Sequence, residues 1–145
     1  MEELAWEIGE TAHTLRRAFD RRAAALGVTR AQWRVLAHLG RTPGQRQVEL
    51  AERMDIEPIT LCRIIDRLAE AGLVERRRDA ADRRAWQLHL CPKAEPLLER
   101  LHLLADEMSG QAFAGLDQDQ IDATRSALAT VRDNLLTAQK GKATA

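Results

Sequence analysis

Residues 56–90 read IEPITLCRIIDRLAEAGLVERRRDAADRRAWQLHL, and this stretch decides the fold. Pro58 suits the first turn of a helix, where its missing N–H would have no helical partner anyway. Leu61, Ile64, Ile65 and Leu68 then recur at steps of three and four, the spacing of one buried helical stripe, and Gly72 ends the run. Beyond it the period changes to two. Residues 73–77 read as a short strand and 85–90 as a second, with Trp86, Leu88 and Leu90 alternating to one face. The polar run Asp79-Ala80-Ala81-Asp82-Arg83-Arg84 between them reads as a hairpin tip.

Working toward the N-terminus, Val48, Leu50 and Ala51 mark a short helix, broken by residues 55–58. Thr42-Pro43-Gly44 is a turn. Thr29 caps a helix whose Trp33, Leu36 and Ala37 face inward. Before Gly27, the residues Leu4, Ile8, Thr11, Leu15 and Phe19 share one face of a long helix. Toward the C-terminus, Pro92 opens another long helix with Ala94, Leu97, Leu98, Leu101, Leu104 and Met108 on its apolar face, closed by Gly115. Asp117 with Gln120 three residues on forms a capping box for a last helix carrying Ile121, Thr124, Leu128, Val131 and Leu135. The small, polar residues 139–145 read as a flexible tail. The expected fold class is mainly α, in the order α-α-α-α-β-β-α-α.

Two short helices, a tight break, a third helix and a β-hairpin are the parts of a winged helix-turn-helix. An α-helix fits the major groove of B-DNA, where base edges present distinct donors and acceptors. Opposite its buried stripe, the helix from Pro58 places Thr60, Arg63 and Arg67 on one solvent face. Ile59 at its N-terminal end suits a thymine methyl, Arg63 a bidentate contact with guanine, and Thr60 a base or a phosphate. Two arginines on one face also describe an ordinary solvated helix. The hairpin sharpens the case, because Arg76, Arg77, Arg78, Arg83 and Arg84 crowd around its tip beside Asp79 and Asp82. An arginine at such a tip suits the enhanced negative potential of a narrow minor groove.

Composition is compatible with this reading. The chain has 145 residues, enough for one domain with a modest core, and its apolar fraction of 45% is that of a globular protein. The formal net charge of zero excludes a polycation that coats nucleic acid indiscriminately, but not a local basic surface. The N-terminus carries no signal-peptide pattern and no apolar run approaches a membrane span, so a soluble cytoplasmic protein with no membrane partner is expected. Enzyme motifs are missing: there is no Gly-rich phosphate loop, no G-x-S-x-G, no metal motif and no Ser/His/Asp cluster with a recognisable context, so neither catalysis nor a cofactor is expected.

The whole stretch resembles the winged-helix core of the MarR family of transcription regulators, and is most similar to its SlyA branch. The family's wing pattern D-x-R-x-x-x-L-x-L appears as Asp82, Arg84, Leu88 and Leu90. Its L-x-x-x-G-L-V/I-x-R junction appears as Leu68, Gly72, Leu73, Val74 and Arg76. The stretch KAEPLL at 93–98, a T-x-x-x-W pattern at Thr29 and Trp33, and Asn134-Leu135 near the end extend the likeness along most of the chain. The resemblance implies a homodimer in which residues 1–28 and 92–138 form a helical dimerisation region, and residues 29–91 a DNA-binding lobe. The terminal helices permit this independently, because their apolar faces exceed what one small lobe covers. A two-fold dimer implies a pseudo-palindromic double-stranded DNA site.

The resemblance further implies that Arg84 enters the minor groove with Asp82 orienting it, while Arg63 reads the major groove. The full expected DNA surface is Pro58, Ile59, Thr60, Arg63, Arg67, Arg76, Arg78, Asp82, Arg83 and Arg84. Many members of the family release DNA when an aromatic carboxylate enters a pocket between lobe and dimer helices. Trp33, His38, His13 and Arg17 are the candidates for such a pocket, with Trp33 as plain core and Arg17 as plain surface the alternative. His13, His38, His89 and His102 are scattered without a ligand pattern, so no metal is expected. Cys62 and Cys91 form no C-x-x-C. Cys62 reads as a small buried hydrophobe, with a redox switch as the alternative. Cys91 stands where the family has a capping threonine, which implies a looser junction there or another role for this thiol. The competing class of function is a protein–protein adaptor on the same scaffold; exposed arginines on both groove-facing elements argue against it.

Overall fold

Four helices, a β-hairpin and two further helices follow the change of hydrophobic period along the chain. The computed structural model describes the backbone of residues 1–143 and the side chains of residues 1–139. The elements are α1 (Glu2–Ala24), α2 (Arg30–Arg41), α3 (Gln47–Met54), α4 (Pro58–Glu70), β1 (Val74–Arg78), β2 (Trp86–Leu90), a single 3-10 turn (Pro92–Ala94), α5 (Glu95–Ala112) and α6 (Gln118–Ala143). The expected mainly helical winged helix-turn-helix is therefore observed. The 3-10 turn is an addition to the expected order, and each strand begins one residue later than its alternation suggests. Helix α6 continues to Ala143, across most of the expected tail; residues 144–145 lie outside the described residues.

The chain divides into two compact units, Met1–Ser109 and the part from Gly110 onward. The first holds the core. Val35, Leu36 and Leu39 of α2, Leu50, Ala51 and Met54 of α3, and Leu61, Ile65 and Leu68 of α4 are buried together with Val74 and Leu88 of the hairpin. Phe19 and Ala23 of α1 and Leu101 of α5 are buried in the same cluster, so this core extends on both sides of the expected lobe limits at residues 29 and 91. Burial of nine such side chains to near zero exposure is the main stabilising term, each contributing about 1.5–3 kcal/mol before conformational entropy is set against it.

Local signals set the ends of the elements. Thr29 accepts from the Gln32 amide while the Gln32 side chain accepts from the Thr29 amide, a closed capping box. The Asp55 backbone turns left-handed (φ 53°, ψ 50°) to end α3 and allow α4 to start three residues later. Gly72 at φ 73° ends the passage out of α4. The hairpin pairs Val74 with Leu90, Arg76 with Leu88 and Arg78 with Trp86. In the second unit, the Asp117 carboxylate accepts from the Gln120 amide and the Gln120 side chain accepts from the Asp117 amide, the expected cap of α6. No helix among the described residues is long and apolar enough to cross a membrane.

Candidate nucleic-acid interface

Helix α4 is fixed from below by Leu61, Ile65 and Leu68, with Ile64 half-buried beside them. That phase leaves Ile59, Thr60, Arg63 and Arg67 exposed on the other side, while Pro58 is exposed at the start of the helix. Among the described residues, the side chains of Arg63 and Arg67 have no hydrogen-bond or ion-pair partner, so both guanidinium groups are available to an external anion or base edge.

The wing is ordered by one buried carboxylate. Asp79 accepts the backbone N–H groups of Ala81 (2.8 Å) and Asp82 (3.4 Å) on one oxygen and Arg46 Nε (2.9 Å) on the other. The amide of Ala81 first, then the Arg46 guanidinium, hold the Asp79 carboxyl below the usual carboxylate range against the opposing effect of burial. Asp82 in turn accepts the Arg84 N–H at 3.0 Å, so Asp82 fixes the backbone from which the Arg84 side chain projects. Arg78 donates to the Arg83 carbonyl at 2.5 Å and stacks its guanidinium 4.5 Å from the centre of the Trp86 ring. The tip is thus tied at both ends, while the side chains of Arg83 and Arg84 have no protein partner among the described residues.

Arg76 does not join this outward set. Its guanidinium turns into the lobe, where it pairs with Asp66 (2.8 Å) and donates to Gln47 (3.0 Å) and to the Cys62 carbonyl (3.2 Å). It holds α3, α4 and β1 together, because its strand position faces the helices. Arg77 is paired with Glu75 on its own strand. Spacing alone does not single out Arg46, the Arg46–Asp79 pair or the Arg78–Trp86 stack. An aspartate followed by amides two and three residues on is the signature of an Asx-type turn, which marks Asp79, but its partner Arg46 lies 33 residues away.

A cavity of about 270 Å³ lies in the first unit between α1, α2 and α5. Its walls are mostly apolar, with Phe19, Trp33 and Leu101 prominent, and Arg16, Arg41 and His102 supply the polar groups. Of the four expected pocket residues only Trp33 lines it. His13 and Arg17 are exposed on other faces of α1, since Leu15, Arg16 and Phe19 hold the inward phase. On α2 the inward positions are 33, 37 and 41, four residues apart, which puts His38 a quarter-turn off the wall. Burial, with Arg34, Arg53 and Arg41 nearby, holds the His38 imidazole below its ordinary pKa. Trp33 is fixed twice: its ring meets Phe19 edge-on at 4.6 Å, and its Nε1–H donates to Asp20 at 2.9 Å. Asp20 also accepts from Arg30 Nε at 2.6 Å.

Both cysteines are free thiols, half-buried. Cys62 Sγ lies 3.6 Å from Arg76 Nη2. Cys91 offers no side-chain cap to the 3-10 turn; the junction is held instead by its N–H to the Leu73 carbonyl and by its carbonyl to the Ala94 N–H, both 2.9 Å. Among the described residues no group of three or more His, Cys, Asp or Glu side chains is placed to hold a metal ion.

Comparison with known proteins follows the same outline. A family model described as MarR family matches residues 26–85. The transcriptional regulator PA3341 is 32% identical, with 92% of this chain and 98% of that chain covered at a TM-score of 0.84. The transcriptional regulator SlyA is 25% identical over 91% of this chain and 93% of its own, TM-score 0.78. A cysteine-to-serine mutant of MarR from E. coli, complexed with operator DNA, shares the fold at 24% identity, covering 89% and 93% of the two chains with a TM-score of 0.76.

Proposed function

The chain belongs to the MarR family of winged-helix transcription regulators, and from that premise we propose that it acts in the cytoplasm, without catalytic activity, as a homodimer on pseudo-palindromic operator DNA. Helix α4 enters the major groove, where Arg63 reads a guanine, Thr60 contacts a base or phosphate, and Arg67 contacts the backbone. The wing lies along the adjacent minor groove, with Arg84 inserted and Arg83 and Arg78 near the phosphates. The observation that carries this reading is the set of guanidinium groups, Arg63, Arg67, Arg83 and Arg84, that face outward on the two groove-sized elements without a protein partner among the described residues. Arg76 is left out of the contact set because its guanidinium is committed to Asp66 and Gln47.

The second copy is called for by exposed hydrocarbon. Trp6 of α1 is 72% exposed, Leu103 of α5 is 68% exposed and Leu135 of α6 is 61% exposed, with Leu4, Phe113, Leu116, Val131 and Leu136 also exposed. Such surfaces on terminal helices are covered by a partner, and a two-fold partner sets two lobes on one duplex. The cavity beside Trp33 takes a small aromatic carboxylate, its ring against Trp33 and Phe19 and its charge toward Arg16 or Arg41. Occupancy favours a lobe spacing that no longer matches successive major grooves, so the ligand releases the DNA and relieves repression. The likeness to SlyA is one among several and does not single out that branch.

Selection of bound sequences from a random duplex pool, together with the sedimentation mass of the free protein, tests this reading. An enriched inverted repeat and a dimer mass are expected. No enrichment, with no binding even at low salt, would refute it.

A further inference from the structure

Three apolar side chains stand exposed on the same outward surface as the free arginines. Val48, in the first turn of α3, is 58% exposed; Ile59, in the first turn of α4, is 62% exposed; Trp86, at the start of β2, is 37% exposed. Val48, Pro58, Ala85 and Trp86 together wall a shallow notch of about 150 Å³, completed by Gln47 and Arg84. The notch therefore sits where the N-termini of both helices of the helix-turn-helix meet the wing. None of these apolar groups serves the core, and Val48 is exposed where Leu50, Ala51 and Met54 of the same helix are buried.

Hydrocarbon on a DNA-facing surface gains nothing against phosphate, whose oxygens lose hydration there. The one apolar feature that B-DNA offers in its major groove is the C5-methyl group of thymine. The N-terminal residues of a recognition helix are those that reach base edges. Arg63 and Arg84 flank the apolar set, so the surface is cationic around a hydrocarbon centre, the complement of a methyl group bordered by phosphates.

We infer that Val48 is a base-reading residue: Val48 and Pro58, on the helix side of the notch whose other wall is the wing, meet a thymine C5-methyl in the major groove, beside a second methyl position served by Ile59. Specificity then comes from two consecutive helices rather than from α4 alone. This rests on the DNA-binding reading above.

Deoxyuridine, which is thymine without the methyl group, tests it. The duplex selected from the random pool is bound with thymines and with deoxyuridines substituted one position at a time, by wild type and by Val48→Ala and Ile59→Ala. Both residues are more than half exposed, so neither substitution disturbs the core, and circular dichroism with thermal melting checks that the fold is intact. Removing one buried methyl is expected to weaken wild-type binding about fourfold at a specific thymine in each half-site. Val48→Ala should bind the thymine and deoxyuridine duplexes alike at that position while retaining discrimination at the position read by Ile59. A wild type indifferent to deoxyuridine, or a Val48→Ala variant that keeps full discrimination everywhere, would overturn the inference and leave the DNA-binding reading standing. Failure of wild type to bind the thymine duplex itself would overturn both.

Discussion

Replacing Asp20 by alanine tests how the cavity wall is held. Asp20 is carried by α1, yet its carboxylate bonds two side chains of α2: Trp33 Nε1 at 2.9 Å and Arg30 Nε at 2.6 Å. The Asp20 side chain is 21% exposed and that of Arg30 45%. The Arg30 pair is open to solvent and contributes little. The Trp33 bond is half-buried and charge-assisted; its loss leaves the indole N–H without its acceptor, and about 1–2 kcal/mol is expected from this bond alone. Chemical denaturation at one fixed protein concentration, on wild type, Asp20→Ala, Trp33→Phe and the double variant, isolates the bond as a coupling energy. We expect about 1 kcal/mol of coupling at pH 7. The pH dependence carries a definite sign. Burial opposes ionisation of Asp20, but the hydrogen bonds from Arg30 and Trp33 outweigh it and leave the carboxyl below its usual range. Because the folded-state value is depressed, this stabilisation is complete above the unfolded carboxylate pKa of about 3.9 and is lost as pH falls through the folded value. Additive effects of Asp20→Ala and Trp33→Phe at pH 7 would refute the bond as a structural tie.

Arg76→Ala should lower stability by about 1–2 kcal/mol, since it frees Asp66, Gln47 and the Cys62 carbonyl together; the slope of log affinity against log salt on DNA should stay at the wild-type value, because Arg76 meets no phosphate. Gly44→Ala forces a Cβ to 3.0 Å from His89 Cε1 at a residue with φ +74°, and a thermal melt should report a loss of about 1–2 kcal/mol. Burial and three nearby arginines keep His38 below its ordinary pKa, so the stabilisation is complete above the unfolded histidine value of about 6.5 and declines as pH falls through the folded one; His38→Gln should flatten the stability profile just below pH 6.5. Salicylate-like ligands should quench Trp33 fluorescence, and Arg16→Ala with Arg41→Ala should weaken that titration at least tenfold, whereas His13→Ala and Arg17→Ala should leave it unchanged.

What spacing revealed and what it hid follow from the range of the interactions. The outward set Thr60, Arg63 and Arg67 is legible because a helix phase follows from its own buried stripe, Leu61 to Leu68. The Asp117–Gln120 cap is legible because its partners lie three residues apart, and Thr29 is legible as a cap, although its Gln32 partner is a finding of the structure. Arg76 reads as one more cation in a basic run until Asp66 and Gln47 are brought to it by packing. Asp79 reads as a surface acid, because its Arg46 partner is remote in sequence. His13, Arg17 and His38 suit a carboxylate pocket by residue chemistry; the helix phase puts Arg16 and Arg41, and not these three, on the wall of the cavity beside Trp33. The core shared by Phe19, Ala23 and Leu101 is likewise a tertiary fact, which a division of the chain into consecutive segments does not express.

The central claim is that the free guanidinium groups of α4 and the wing bind DNA. It is tested most directly by titrating the selected operator with wild type, Arg63→Ala and Arg84→Ala across a range of salt concentrations. The account predicts that Arg84→Ala weakens binding to all duplexes and flattens the salt slope by about one per protomer, while Arg63→Ala costs about 1–3 kcal/mol and relaxes preference at a single base pair of each half-site. Wild-type affinity and an unchanged salt slope in both variants would contradict it.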